Sequence, residues 1–226
     1  GVGGRVGPFL IRGGTGDRRG LGAGDLRHGD LPDAQPGGQS QRGLPLLGGR
    51  AWTFTVGGPR IAYLLGEAPN LWVLPLAEDS EPRQITTEAN GVFDFDISPD
   101  GAQFVYAALR ADGGADLKVI NVDGTGAADL LACPGQACLS PAFSPDGQWI
   151  AYERHGLDSG PAGEAAPGDS HVYLFSATAR SDTLVGDAGT ETRFPRWGPD
   201  GRLSYFDEAR QAIVIRDLAA NAVTYI

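Results

Sequence analysis

Apolar and polar residues alternate along this chain in short runs, with no lasting helical period. Val92-Phe93-Asp94-Phe95-Asp96-Ile97 alternates strictly. Gln103–Ala107, Asp116–Val122 and Asp129–Leu131 follow it, which makes a set of four short strands. The same set recurs on both sides. Upstream, strands are predicted over Ala51–Val56, Arg60–Leu65, Asn70–Leu74 and Arg83–Thr86. Downstream, one set covers Ser140–Phe143, Trp149–Glu153, His171–Phe175 and Ser181–Val185. The last covers Arg193–Trp197, Arg202–Phe206, Ala212–Arg216 and Ala222–Ile226. An insertion rich in Gly, Pro and acids, His155–Ser170, interrupts the third set and is expected to be a flexible loop.

The first two strands of three sets are joined by one phrase: Ser98-Pro99-Asp100-Gly101, Ser144-Pro145-Asp146-Gly147 and Gly198-Pro199-Asp200-Gly201. Its chemistry is that of a turn. Pro99, Pro145 and Pro199 pre-set φ, and Asp100, Asp146 and Asp200 cap backbone N–H groups. Gly101, Gly147 and Gly201 accept the left-handed conformation that returns the chain. Each phrase leads into a strand ending in tyrosine. A worn copy, Gly57-Gly58-Pro59-Arg60, leads to Tyr63. Tyr63, Tyr106, Tyr152 and Tyr205 lie 43, 46 and 53 residues apart. A period of that length built from short strands predicts an all-β fold, a β-propeller of four-stranded antiparallel blades. The blades are placed at about 51–87, 91–131, 139–185 and 192–226. The tyrosines are expected between neighbouring blades with their hydroxyls at a polar edge. Trp72, Trp149 and Trp197 are read as packing residues of the same junctions.

Two stretches carry a family resemblance. Pro141-Ala142-Phe143-Ser144-Pro145-Asp146-Gly147-Gln148-Trp149-Ile150-Ala151-Tyr152 and Asp116-Leu117-Lys118-Val119-Ile120-Asn121-Val122-Asp123-Gly124-Thr125 resemble the WD-repeat-like motif of TolB-like propellers. That motif occurs in a periplasmic translocation propeller and in the non-catalytic propellers of prolyl-oligopeptidase-type peptidases. The resemblance spans roughly 55–226 and implies the fold and an envelope or extracytoplasmic location. Its motif residues build turns and packing, so it implies little about function. Family rings carry six blades where about four are present here, and the first lacks the Pro-Asp-Gly turn. A fragment of a six- to eight-bladed ring is therefore expected, and the lack of Met at position 1 agrees with it; closure of four blades by side-chain packing alone is the alternative. An open arc would self-associate through its uncovered blade faces.

Composition changes this picture in two places. Sixteen of residues 1–50 are glycine and Phe9 is their one aromatic, so they read as a low-complexity linker or a non-native segment. Charge is also asymmetric: residues 1–50 carry +3 and residues 51–226 carry −13. So acidic a repeat region repels phosphate backbones, and nucleic acid is not an expected partner. No apolar run of membrane-spanning length and no signal-peptide pattern is visible.

Propeller geometry sorts the loops. The Pro-Asp-Gly turns and Asp123-Gly124 share one face. Loops between second and third strands, and between blades, share the other. That second face holds Glu67, Glu88, Asp112, Asp158, Glu164, Asp169, Asp187, Glu191, Asp207 and Glu208, which are candidate contacts for a basic partner or cationic ligand. Asp94 and Asp96, alternating on an innermost strand, are predicted to face the central channel, with Arg193 or Arg196 beside them.

Cys133-Pro134-Gly135-Gln136-Ala137-Cys138 is the one cysteine pair. Its Pro-Gly turn favours a disulfide; free thiols and half of a zinc site with His155 and His171 are the alternatives. No metal site or cofactor is expected. A hydrolase reading fails on inventory. There is no Gly-x-Ser-x-Gly elbow, and His155, Asp158 and Ser159 share one unsupported loop. The expected function is therefore non-enzymatic binding of a protein or peptide. The alternatives are an accessory propeller of a serine peptidase, or a structural or sensory repeat domain.

Overall fold

A computed structural model of the chain describes residues 51–54, 59–159 and 165–226. The segment 1–50, the end of the first predicted strand at 55–56, and Glu164 lie outside the described residues. Asp158 is described in its backbone alone.

Sixteen strands run in chain order: β1 (Ala51–Phe54), β2 (Arg60–Leu65), β3 (Asn70–Pro75), β4 (Arg83–Gln84), β5 (Val92–Ile97), β6 (Gln103–Leu109), β7 (Ala115–Asn121) and β8 (Ala128–Leu131), then β9 (Gln136–Phe143), β10 (Trp149–Ser159), β11 (Ala165–Ser176), β12 (Ser181–Leu184), β13 (Thr192–Trp197), β14 (Leu203–Asp207), β15 (Ala212–Asp217) and β16 (Ala222–Tyr225). Each successive group of four pairs antiparallel in chain order and forms one blade. Hydrophobic cores lie at the junctions. The first combines Ala62, Leu64, Leu71 and Val73 of blade one with Phe95, Phe104 and Tyr106 of blade two. The second joins Val105 and Leu117 to Ile150, Tyr152 and Phe175. The third joins Ala151, Val172 and Leu174 to Leu203, Tyr205 and Val214. Among the described residues three cores join successive blades, and none joins blade four to blade one.

The repeated tyrosines have matching environments. Tyr106, Tyr152 and Tyr205 are buried, one in each core. The Tyr106 hydroxyl donates to Glu88 Oε1 at 3.0 Å and that of Tyr152 to Asp182 Oδ2 at 2.6 Å. Trp149 and Trp197 pack on the third core, and the Trp197 indole donates to the Ala142 carbonyl at 3.1 Å. Trp72 is half-buried opposite Tyr63.

The turns share one construction. The Ser98 hydroxyl donates to Asp100 Oδ1 at 2.6 Å, and that oxygen also accepts from the Ala102 amide at 3.0 Å. Asp146 repeats both bonds with Ser144 and Gln148. In the third copy the Arg202 amide keeps its bond to Asp200, but Gly198 offers no hydroxyl and the Arg202 side chain bonds the carboxylate instead. Gly101, Gly147 and Gly201 have φ of 70°, 71° and 80°, where a side chain would be strained.

Three expectations are corrected. First, His155–Ser170 is not a loop: its ends extend β10 and β11 into a long hairpin paired from Trp149↔Ser176 to Ser159↔Ala165. Second, β9 begins at Gln136 rather than Ser140 and meets β7 in parallel at Ala115↔Ala137, so blades two and three form one continuous sheet. Third, a bulge between Val92 and Phe95 breaks the strict alternation of β5, and Asp94 and Phe95 are both buried.

Candidate functional site

The irregular loops gather at one end of the blades. Asn70 Nδ2 on β3 donates to Glu88 O in the link between blades one and two, at 3.1 Å. Arg110, at the end of β6, donates to the Gln136 carbonyl at the start of β9, at 3.0 Å. His171 Nδ1 contacts the Thr190 carbonyl at 3.0 Å, and the Glu208 amide donates to the Glu191 carbonyl at 3.0 Å. Loops of neighbouring repeats are therefore tied into one surface.

Its acids fall into two groups. Five are neutralised inside the chain. Glu88 pairs with Lys118 at 3.1 Å, Asp112 with Arg110 at 3.0 Å, and Glu191 with Arg193 at 2.7 Å. Asp207 is buried and pairs with Arg210 at 2.7 Å; Glu208 lies 3.6 Å from Arg193. The Arg193 side chain holds the Glu191 carboxyl below the usual carboxylate range. Glu67, Asp169 and Asp187 are exposed, and Asp187 meets Arg210 only at 3.9 Å. The surface is thus a set of ion pairs with a few uncompensated carboxylates, rather than one acidic field.

Each member of the expected channel cluster has a partner among the described residues. Asp96 Oδ2 accepts the Phe143 amide of the next blade at 2.8 Å, and Asp94 Oδ1 accepts the Phe95 amide at 2.9 Å. Arg193 turns to Glu191 and Glu208, and Arg196 donates to the Pro195 carbonyl at 2.6 Å. Asp96 therefore staples one innermost strand to the next.

Cys133 and Cys138 form a disulfide, and both are buried. The bridge closes the β8–β9 turn. Its neighbour Asp116 accepts the Cys133 amide at 2.7 Å while pairing with Arg110.

The sequence reading missed a buried polar row at the junction of blades three and four. Glu153, His155, Ser170 and Thr192 are all buried. Glu153 Oε1 accepts the Phe194 amide at 2.9 Å, and its Oε2 lies 2.9 Å from His155 Nε2. Ser170 Oγ lies 3.4 Å from the same Nε2 and donates to the Thr192 carbonyl at 3.2 Å. Serine, histidine and glutamate are adjacent, yet this is no catalytic triad. A carboxylate can only accept, so Nε2 carries the proton and cannot take one from serine. Nδ1, where an orienting acid belongs, has no partner among the described residues.

A cleft lies beside the disulfide, lined by residues of β9, β10 and β11. Gln136, Arg154, Gly156, Asp169, His171 and Tyr173 enclose about 270 Å³. Arg154 bonds Asp182 and the Tyr152 hydroxyl, and its guanidinium lies 4.2 Å from the Tyr173 ring centroid. Among the described residues no group of His, Cys, Asp and Glu could hold a metal ion. No helix among them is long and apolar enough to cross a membrane.

No protein-family model matches this sequence, and no curated protein matches it. Solved structures do. TolB from Acinetobacter baumannii is 18% identical with a TM-score of 0.57, over 74% of this chain and 41% of that one. A structure described as TolB from Agrobacterium tumefaciens is 19% identical with a TM-score of 0.58, over 75% of this chain and 58% of that one. Puromycin hydrolase is 15% identical with a TM-score of 0.59, over 82% of this chain and 31% of that one. The chain thus spans about half the length of the two TolB structures and a third of the hydrolase. What these likenesses share with the blades, junction cores and turns described above is the TolB-like β-propeller fold.

Proposed function

We propose that this chain is a non-enzymatic binding module that holds a protein or peptide against its loop face, in an envelope or extracytoplasmic setting. The observation that carries the reading is the arrangement of that face. Loops of every blade are tied together there by hydrogen bonds, and a polar cleft opens among them. The opposite face consists of short, self-satisfied turns. A rigid scaffold with irregular loops at one end is the usual carrier of recognition. A disulfide suits an oxidising compartment, which agrees with the proposed location.

The buried Glu153–His155–Ser170 row supports the non-enzymatic reading, because its proton sits on the wrong nitrogen for serine activation. The likeness to puromycin hydrolase favours a second reading, an accessory propeller beside a catalytic domain. In that role the same loop face would meet substrate rather than a stable partner.

The test is charge reversal on each face. Glu67→Lys, Asp169→Lys and Asp187→Lys together should abolish partner capture in a pull-down, while Asp123→Lys on the turn face should not. Capture unchanged by the loop-face variant would end this reading.

A further inference from the structure

We propose that the cleft beside the disulfide is a pocket for one basic side chain, lysine or arginine, of a peptide lying along the edge of β10 beyond its pairing with β9. The proposal deepens the loop-face reading and rests on it.

Charge counting comes first. Arg154 is already neutralised by Asp182, further bonded to the Tyr152 hydroxyl, and stacked on Tyr173. A carbonyl only accepts, so His171 Nδ1 carries the proton bonded to Thr190. Gln136 contributes a neutral amide. Asp169 remains, exposed and beside Glu191, whose own charge is taken by Arg193. The lining therefore presents the exposed Asp169 carboxylate beside the Gln136 amide, with Arg154 already held by its own partners. Such a lining recognises a cation through charge-assisted hydrogen bonds. The acidic balance of residues 51–226 adds long-range attraction for it.

The backbone supplies the second element. The β9 ladder stops at its first residue, Gln136, opposite Gly156, whereas β10 runs on to Ser159. Among the described residues no strand pairs with that edge of Leu157–Ser159. An extended peptide can add there in continuation of β9, with main-chain bonds giving affinity and a pocket giving specificity. Gly156 lies at the point where the free edge meets the cleft.

The test is an NMR titration of the isotope-labelled chain with Nα-acetyl-arginine amide, against Nα-acetyl-citrulline amide as the uncharged isostere. The arginine probe should saturably shift the His171 ring and Gly156 amide resonances, and citrulline should leave them in place. Asp169→Asn should weaken the arginine effect about tenfold, the loss of one charge-assisted hydrogen bond. Asp123→Asn, on the turn face, should leave it intact. Equal shifts from citrulline, or an unweakened response in Asp169→Asn, would overturn the proposal. Arginine-induced shifts confined to other loops would overturn the pocket and spare the loop-face reading. A pentapeptide with central arginine that moved no loop-face resonance would overturn both.

Discussion

The Tyr106 hydroxyl donates to Glu88 Oε1 at 3.0 Å, and Lys118 reaches the same carboxylate at 3.1 Å from β7. Glu88 belongs to the link that leaves blade one, and its two partners belong to blade two. One carboxylate thus fixes how successive blades meet. Tyr106→Phe removes the donor and leaves the Glu88–Lys118 pair. It should cost about 1 kcal/mol, as one hydrogen bond does. Tyr106→Ala empties a core position as well, and should cost about 3–5 kcal/mol. Urea denaturation of both variants checks the difference.

The same tyrosines set an alkaline limit. Burial, then the Glu88 charge, raises the Tyr106 phenol above its ordinary range; burial, then the bond to Asp182, does so for Tyr152. The unfolded phenol titrates near pH ~10. A folded value above the unfolded one gives stability that is complete below the unfolded pKa and is lost as pH rises towards the folded value. Melting temperature should therefore fall above about pH 10. Absorbance of tyrosinate should rise in a cooperative step with unfolding. A gradual rise from all six tyrosines in the folded chain would contradict this.

At low pH the turns act in the opposite sense. The Ser98 hydroxyl and Ala102 amide hold Asp100 below the ordinary aspartate range, and the Ser144 hydroxyl and Gln148 amide do the same for Asp146. A depressed folded pKa gives stability that is present above the unfolded value, near ~4, and is lost as pH falls through the folded one. Asp146→Asn should flatten part of the acid limb of the pH–stability profile.

Glu153 is a second junction staple, buried between the Phe194 amide and His155. Glu153→Ala would strand both partners and should cost about 3 kcal/mol. Glu153→Gln keeps an acceptor for the amide and should cost less. Equal losses in calorimetry would show that the bond to Phe194 contributes nothing.

The uncovered side of blade four predicts association. Phe194, Ser204, Tyr205, Phe206 and Ile213 line an apolar hollow of about 370 Å³, and Phe194 and Ile213 are 60% and 49% exposed. Apolar surface of that kind seeks a cover. Sedimentation should show concentration-dependent association, and Ile213→Lys should shift it towards monomer.

Fold class was legible because its signals are local. A Pro-Asp-Gly turn followed by a strand ending in tyrosine is contained within ten residues, and it recurs. The site was less legible because its signals cross blades. Glu88 finds Lys118 thirty residues away, so an acid that reads as free on the page is paired in the fold. His155–Ser170 reads as a loop from its composition, yet its ends continue a ladder begun at Trp149 and Ser176. The bulge at Asp94 depends on pairing with β6 and leaves no mark in the alternation of Val92–Ile97. The buried row from Glu153 to Thr192 escaped notice because its members come from three strands.

The most direct measurement is selection of displayed random peptides on the immobilised chain. Selected pools are then rebound to the Glu67→Lys, Asp169→Lys, Asp187→Lys variant and to the Asp123→Lys turn-face variant. A loop-face binding module predicts enrichment of peptides carrying lysine or arginine, with binding lost on the first variant and kept on the second. Enriched peptides that bind both variants as well as the parent would contradict loop-face recognition.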